Sequence, residues 1–160
     1  MRKGGVERLD RTDIRILEEL QADGRLSNVD LASRIHLSPS PCLTRVKELE
    51  TSGLISRYVA LLDPRKIGLA VSVFINIRLE QQNEKSLEIF EAAVQKYPEI
   101  MECYLMTGDS DYMLRVLVPD VQALETFIVQ ELSKIKGVAN IRSSFALKQV
   151  KYKTAVPIPY

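Results

Sequence analysis

The chain has 160 residues, 46% of them hydrophobic and 27% charged, with a formal net charge of +1. That is the make-up of an ordinary globular protein, long enough for one domain or two small ones. It excludes a helical membrane protein, since no apolar run approaches the roughly 20 residues that cross a bilayer, and a bulk-basic nucleic-acid coat. The N-terminus shows no signal-peptide core, so a cytoplasmic location is expected. Cys42 and Cys103 lie far apart and are expected to be reduced, buried thiols. His36 is the only histidine. Neither a histidine-rich metal site nor a local His-based catalytic pair is available, and no metal or cofactor is expected.

In chain order, a first helix starts at Asp10, which can cap it, with Asp13 in the first turn and Ile14, Leu17 and Leu20 at helical spacing. Asp23-Gly24 ends it. Ser27 and Asp30 form a capping-box-like start for a second helix, whose inward residues are Leu31, Ala32 and Ile35. His36 stands at its end, where φ is often positive, and reads as a C-cap. Ser38 and Pro39 open a third helix, with Pro41 tolerated in its first turn, and Gly53 ends it. Leu54 to Leu62 reads as an extended segment, followed by a linker at 63–69.

From residue 70 the period is that of strands. Val71 to Leu79 alternates apolar and polar residues, with Phe74 on the otherwise polar side. Glu84 to Lys96 reads as a helix with Leu87, Phe90, Ala93 and Val94 on one face. Glu99 to Thr107 and Tyr112 to Val118 read as strands around a turn, and Val121 to Leu132 as a helix. Ile141 to Val150 is expected to be the last strand. The order β-α-β-β-α-β is the ferredoxin-like arrangement. The fold class is thus α+β, with a helix-turn-helix domain at 1–62, a linker at 63–69 and a ferredoxin-like domain at 70–160.

At about 100° per residue, Cys42, Val46 and Leu49 of the third helix fall within about 60° of one another and form its core stripe. Ser40, Thr44, Lys47 and Thr51 cluster opposite. Short hydroxyls and one cation suit base edges and phosphates in a DNA groove. From the wheel alone, the same face serves equally as an ordinary solvated surface. Arg45 lies beside the core stripe, placed either to reach a phosphate or to pair with a nearby acid.

Leu-Asp-Arg-Thr-Asp-Ile-Arg-Ile-Leu (9 to 17) and Leu-Ser-Pro-Ser-Pro-Cys-Leu-Thr-Arg-Val-Lys-Glu-Leu-Glu (37 to 50) resemble the leucine-responsive regulatory protein/AsnC family of feast/famine regulators. So do the stretch around Leu62-Asp63-Pro64 and the Gly-Asp-Ser-Asp-Tyr run at 108 to 112. The resemblance implies a winged or plain helix-turn-helix reading promoter DNA. Ser38, Ser40, Pro41, Thr44, Arg45 and Lys47 are then the candidate DNA-binding residues. It also implies homodimers that often assemble into octamers. The chain departs from the family pattern at His36, where glycine is usual, at Ser40, where threonine is commoner, and at Thr44, a position often charged.

The Gly108-Asp109-Ser110-Asp111-Tyr112 run places two carboxylates on a loop between strands. Carboxylates there can accept an α-ammonium while loop N–H groups meet a carboxylate, although Asp and Gly are also common turn formers. The resemblance implies an amino-acid effector site built from Gly108, Asp109, Asp111 and Tyr112, with Asp111 foremost, and from Ser144 on the last strand. Relatives that respond to leucine often carry an aromatic or branched residue near Ser144. The exposed sheet face, carrying Phe74, is expected to pack against a second copy.

The expected function is a sequence-specific DNA-binding transcription regulator whose assembly responds to a small effector. Two rivals are an architectural DNA-binding protein that senses nothing and a small enzyme; the second lacks a nucleophile and base.

Overall fold

The structure, a computed structural model, describes residues 9–159. The first eight residues, on which the expectation of no leader rests, lie outside the described residues. The chain divides into two compact units, each described by itself. One is Leu62–Val150; the other takes the chain up to Leu61 together with the segment from Lys151.

In the helical unit, α1 (Arg11–Ala22) starts at Asp10. The Asp10 carboxylate accepts from the Thr12 and Asp13 N–H groups at 2.8 Å, and Asp13 accepts from the Asp10 N–H at 3.2 Å. This capping box satisfies donors that a helix start leaves free. α2 (Asn28–Ile35) starts at Ser27, whose hydroxyl accepts from the Asp30 N–H. The Ser27 hydroxyl in turn donates to the Asp30 carboxylate at 2.6 Å, so that carboxylate does not close the box on the backbone. α2 ends at His36, φ 60° and ψ 44°, the left-handed C-cap read from the sequence.

α3 (Pro39–Thr51) departs from expectation at its start. Ser38 is the N-cap residue but its side chain makes no capping bond. Such a bond goes to the N–H of the second or third helical residue, and the third is Pro41, which has none. Instead Asn28 Nδ2 donates to the Pro39 carbonyl at 2.8 Å and fastens the start of α3 to the start of α2. Ile16, Leu17, Leu31, Ala32, Ile35, Cys42 and Leu49 form the core, with Val46 and Ile55 against it. Burial contributes roughly 1.5–3 kcal/mol for each large side chain. That is what holds helices too short to persist alone.

The extended stretch after α3 pairs with no strand in the described residues, and the expected linker is partly folded. Asp63 accepts from the Arg65 N–H at 3.0 Å and caps a 3-10 turn, Pro64–Ile67, which closes at Gly68 with φ 87°. The second unit then follows as β1 (Val71–Leu79), α4 (Glu84–Val94), β2 (Ile100–Leu105), β3 (Tyr112–Val118), α5 (Val121–Gln130) and β4 (Val138–Phe145). The sheet order is β2-β3-β1-β4 with every pair antiparallel, as in the expected ferredoxin-like arrangement. Val73, Ile75, Ile77 and Leu79 of β1 and Leu114, Val116 and Val118 of β3 meet Phe90 and Val94 of α4 and Leu124 and Phe127 of α5.

Several boundaries differ from the sequence reading: α4 ends at Val94 rather than Lys96, and β2 spans Ile100–Leu105 rather than Glu99 to Thr107. α5 stops at Gln130, and Leu132 passes into a separate 3-10 turn, Leu132–Lys134, with its side chain still in the core. β4 lies three to five residues earlier than expected, between Gly137 and Phe145. Its partner β1 begins only at Val71, so the ladder runs out once the Ala146 N–H has donated to the Ser72 carbonyl at 3.0 Å. Finally, the chain from Lys151 groups with the helices rather than with the sheet domain expected to run to residue 160. Among the described residues no helix is long and apolar enough to cross a membrane.

Candidate DNA-binding face and effector cavity

On α3, Ser38, Ser40, Pro41, Thr44, Lys47 and Thr51 are all exposed, while Cys42 is fully buried and Leu49 nearly so. Thr44, Lys47 and Thr51 line one shallow depression with Glu48 and Ser52. The Thr44 hydroxyl donates to the Ser40 carbonyl at 3.2 Å, which leaves its lone pairs free to accept. Lys47 forms no ion pair among the described residues.

Arg45 is different. Its Nη1 lies 2.7 Å from both Asp10 Oδ2 and Asp13 Oδ1. The hydrogen bonds to Asp13 and Asp10 raise the pKa of the guanidinium. The Asp10 carboxyl is held below its ordinary range, first by the Asp13 N–H and then by Arg45. Of the two placements the wheel left open, the structure shows the acid pairing: Arg45 ties α3 to the capping box of α1. Burial pushes the Cys42 thiol up, which suits an inert core residue.

In the sheet unit a cavity of about 710 Å³ is lined by Asn76, Ile77 and Arg78 of β1, Gln82, the loop residues Gly108, Asp109 and Ser110, and Asn140 and Arg142 of β4. Across the two strands Asn76 stands opposite Arg142, and Arg78 opposite Asn140. The two guanidiniums are thereby set diagonally, each beside an amide. A β-bulge between Arg78 and Leu79 falls at this corner, and such bulges re-aim side chains. Gly108, with φ 113°, allows the loop to turn there. Arg78 and Arg142 form no ion pair among the described residues. The walls thus offer two forked cation donors, one carboxylate at Asp109, three amides and the Ser110 hydroxyl. That set complements a small zwitterion.

Of the effector residues expected from sequence, Gly108 and Asp109 line this cavity. Asp111 does not reach its surface. It is 6% exposed, the one buried charged residue among those described. Leu79 lies beyond the last β1–β3 pair, and Asp111 Oδ2 accepts its N–H at 2.7 Å. Asp111 Oδ1 accepts from Gln82 Nε2 at 2.6 Å, so Asp111 holds a wall residue from behind. Tyr112 points into the core, stacked on Phe90 at 4.5 Å and donating to Glu91 at 2.7 Å. Burial and then Glu91 push its pKa well up. Ser144 is exposed opposite Phe74, further along β4. The residues that sequence reasoning did not single out are Arg78, Gln82, Ser110, Asn140, Arg142 and Asn76. The alternation of β1 carried the signal for Asn76 and Arg78, and placing the last strand too late hid Asn140.

Residues 9–56 match winged helix-turn-helix DNA-binding domains, and residues 72–156 match the Lrp/AsnC ligand binding domain. The chain belongs to the Lrp/AsnC family. This Lrp/AsnC protein is 46% identical over 150 residues to the Bkd operon transcriptional regulator of Pseudomonas aeruginosa, covering 94% of this chain and 98% of that one. It is 44% identical to the leucine-responsive regulatory protein of Salmonella typhimurium, with 94% and 92% covered. Among solved structures, a Neisseria meningitidis transcriptional regulator in complex with L-Met superposes with a TM-score of 0.90 at 42% identity, covering 94% of this chain and 97% of that one. A feast or famine regulatory protein from M. tuberculosis complexed with L-methionine gives 0.83 at 31%, covering 95% and 100%. This member of the family is a transcription regulator with a DNA-binding helix-turn-helix domain and a ligand-binding ferredoxin-like domain.

Proposed function

We propose that this chain binds promoter DNA in the cytoplasm through α3, and that an amino acid held in the sheet-domain cavity changes that binding. The observation that carries the reading is the cavity's charge layout. Arg78 and Arg142, without acid partners in the described residues, are placed for an α-carboxylate, and Asp109 for an α-ammonium. The L-methionine complexes of the Neisseria and mycobacterial relatives support an amino acid as the ligand class. Ser38, Ser40, Pro41, Thr44 and Lys47 meet the DNA, while Arg45 orients α3 from behind.

The working form is a homodimer, with dimers joining into octamers. The sheet face turned away from α4 and α5 carries Phe74 and Met113 and packs against its copy; such a C2 contact uses one patch twice. Paired recognition helices then read half-sites about one helical turn apart. The effector acts by binding one assembly better than another, and about 1–3 kcal/mol of such preference suffices.

The test is promoter-fragment binding by the Thr44→Ala/Lys47→Ala double variant, followed by fluorescence anisotropy. Loss of one base contact and one phosphate contact is expected to lower affinity by about tenfold or more. Unchanged affinity in a folded double variant would remove α3 from the DNA interface.

A further inference from the structure

We propose that Lys151, Tyr152 and Lys153 form a second DNA contact of the helical unit, a short basic segment that grips the phosphate backbone of duplex DNA. The inference rests on the DNA-binding reading above and adds to it a surface outside α3.

The helices are short of cations for work on a polyanion. Up to Leu61 the sequence holds nine basic and nine acidic side chains, so that stretch is net neutral. Arg34 is paired with Glu19, and Arg45 with Asp10 and Asp13. On α3 this leaves Lys47 as the one basic side chain without an acid partner among the described residues. Affinity for duplex DNA comes in large part from neutralised phosphates. A neutral stretch with one such lysine on its reading helix needs cations from elsewhere.

The remainder of the same unit supplies them. No acid follows Glu131 in the sequence, and the segment from Lys151 groups with the helices. It is anchored within that unit at Val156. Gln21 Nε2 of α1 donates to the Val156 carbonyl at 3.2 Å, and the Val156 N–H donates to Gln21 Oε1 at 2.7 Å. Ile158 packs against the helical core beside Ile16 and Leu17. Residues 151–155, just ahead of this anchor, are all exposed and make no hydrogen bond or ion pair among the described residues. Lys151, Tyr152, Lys153 and Thr154 are four successive side chains that can donate to phosphate oxygens, with no carboxylate among them. Lys151 and Lys153 stand at most about 7 Å apart along the chain. One DNA strand carries a phosphate about every 3.4 Å of helix axis, so each lysine can meet its own. Phosphate contacts carry no sequence information. The segment therefore adds affinity, and α3 keeps the choice of site.

The experiment compares the full-length protein with Lys151→Gln/Lys153→Gln and Lys151→Arg/Lys153→Arg. Fluorescence anisotropy over a salt series follows binding to a duplex selected by the wild type from a random-sequence pool, and to a scrambled duplex of equal length. Light scattering follows the assembly. The glutamine pair is expected to lower the salt slope by about two, to weaken both duplexes by the same factor and to leave the assembly unchanged. The arginine pair is expected to keep the wild-type slope. A wild-type slope in the glutamine pair, a loss confined to the selected duplex, or a fall in slope that comes with a smaller assembly overturns this contact and leaves α3 in place. A wild-type protein that binds neither duplex overturns the DNA-binding reading and the contact with it.

Discussion

Asp109 and Asp111 are two residues apart and chemically identical, yet their surroundings give them separate work. Asp111 closes the β1–β3 ladder by accepting the buried Leu79 N–H, whereas Asp109 is exposed at the cavity. Asp111→Ala leaves that N–H unpaired, and chemical denaturation should show a loss of about 1–3 kcal/mol. Asp109→Ala should change stability by less than about 0.5 kcal/mol and weaken ligand binding instead. Arg45 and Lys47 separate in the same way. Lys47→Ala should lower the salt slope of DNA binding by about one, as loss of a phosphate contact does. Arg45→Ala should leave that slope in place while reducing affinity through a looser α3. On the alkaline side the pH dependence comes from tyrosines. An ordinary tyrosine titrates near pH 10. Burial and Glu50 push Tyr58 up to about 12, and burial and Glu91 push Tyr112 well up too. The folded chain favours the neutral phenols, so their stabilisation is full below about pH 10 and is lost as pH rises through the folded values. Denaturation midpoints should fall with pH above about 10, and Tyr112→Phe should flatten part of that fall.

At the scale of elements, the caps decide where helices begin, and they can be ranked by experiment. Ser27 makes its bond and Ser38 does not. Ser27→Ala should cost about 1 kcal/mol, and Ser38→Ala less than about 0.5 kcal/mol, read from denaturant midpoints. The elements themselves were largely legible, because Asp10, Ser27, His36 and Gly53 mark ends by local chemistry and β1 shows its alternation in full. What was not legible depended on partners distant in the chain. The end of β4 is set by where β1 begins; the silent Ser38 cap, by contrast, follows from Pro41 three residues on and was legible locally. The effector wall shows the same limit. Gly108 and Asp109 stand in a recognisable turn, but Arg142 becomes a wall residue only through its pairing opposite Asn76. No local pattern could place Tyr112 under Phe90 rather than at the cavity.

At the scale of the molecule, the segment from Lys151 groups with the helices before Leu61, on the far side of the sheet domain in sequence. The proposed assembly predicts that Phe74→Glu, which sets a charge on the sheet's open face, converts dimers and octamers to monomers by light scattering. It should also weaken promoter binding, since a single helix-turn-helix meets only one half-site. The central claim is the effector cavity, and the most direct test is thermal stability against each of the twenty amino acids, with Asp109→Ala and Arg142→Gln beside the wild type. A ligand at about 100 times its dissociation constant adds about 2.7 kcal/mol per site, a shift of several degrees for a domain of this size. The account predicts that at least one amino acid raises the wild-type midpoint and does so less in both variants. A shift of equal size in both variants, or no shift from any amino acid in a folded, DNA-binding protein, would contradict it.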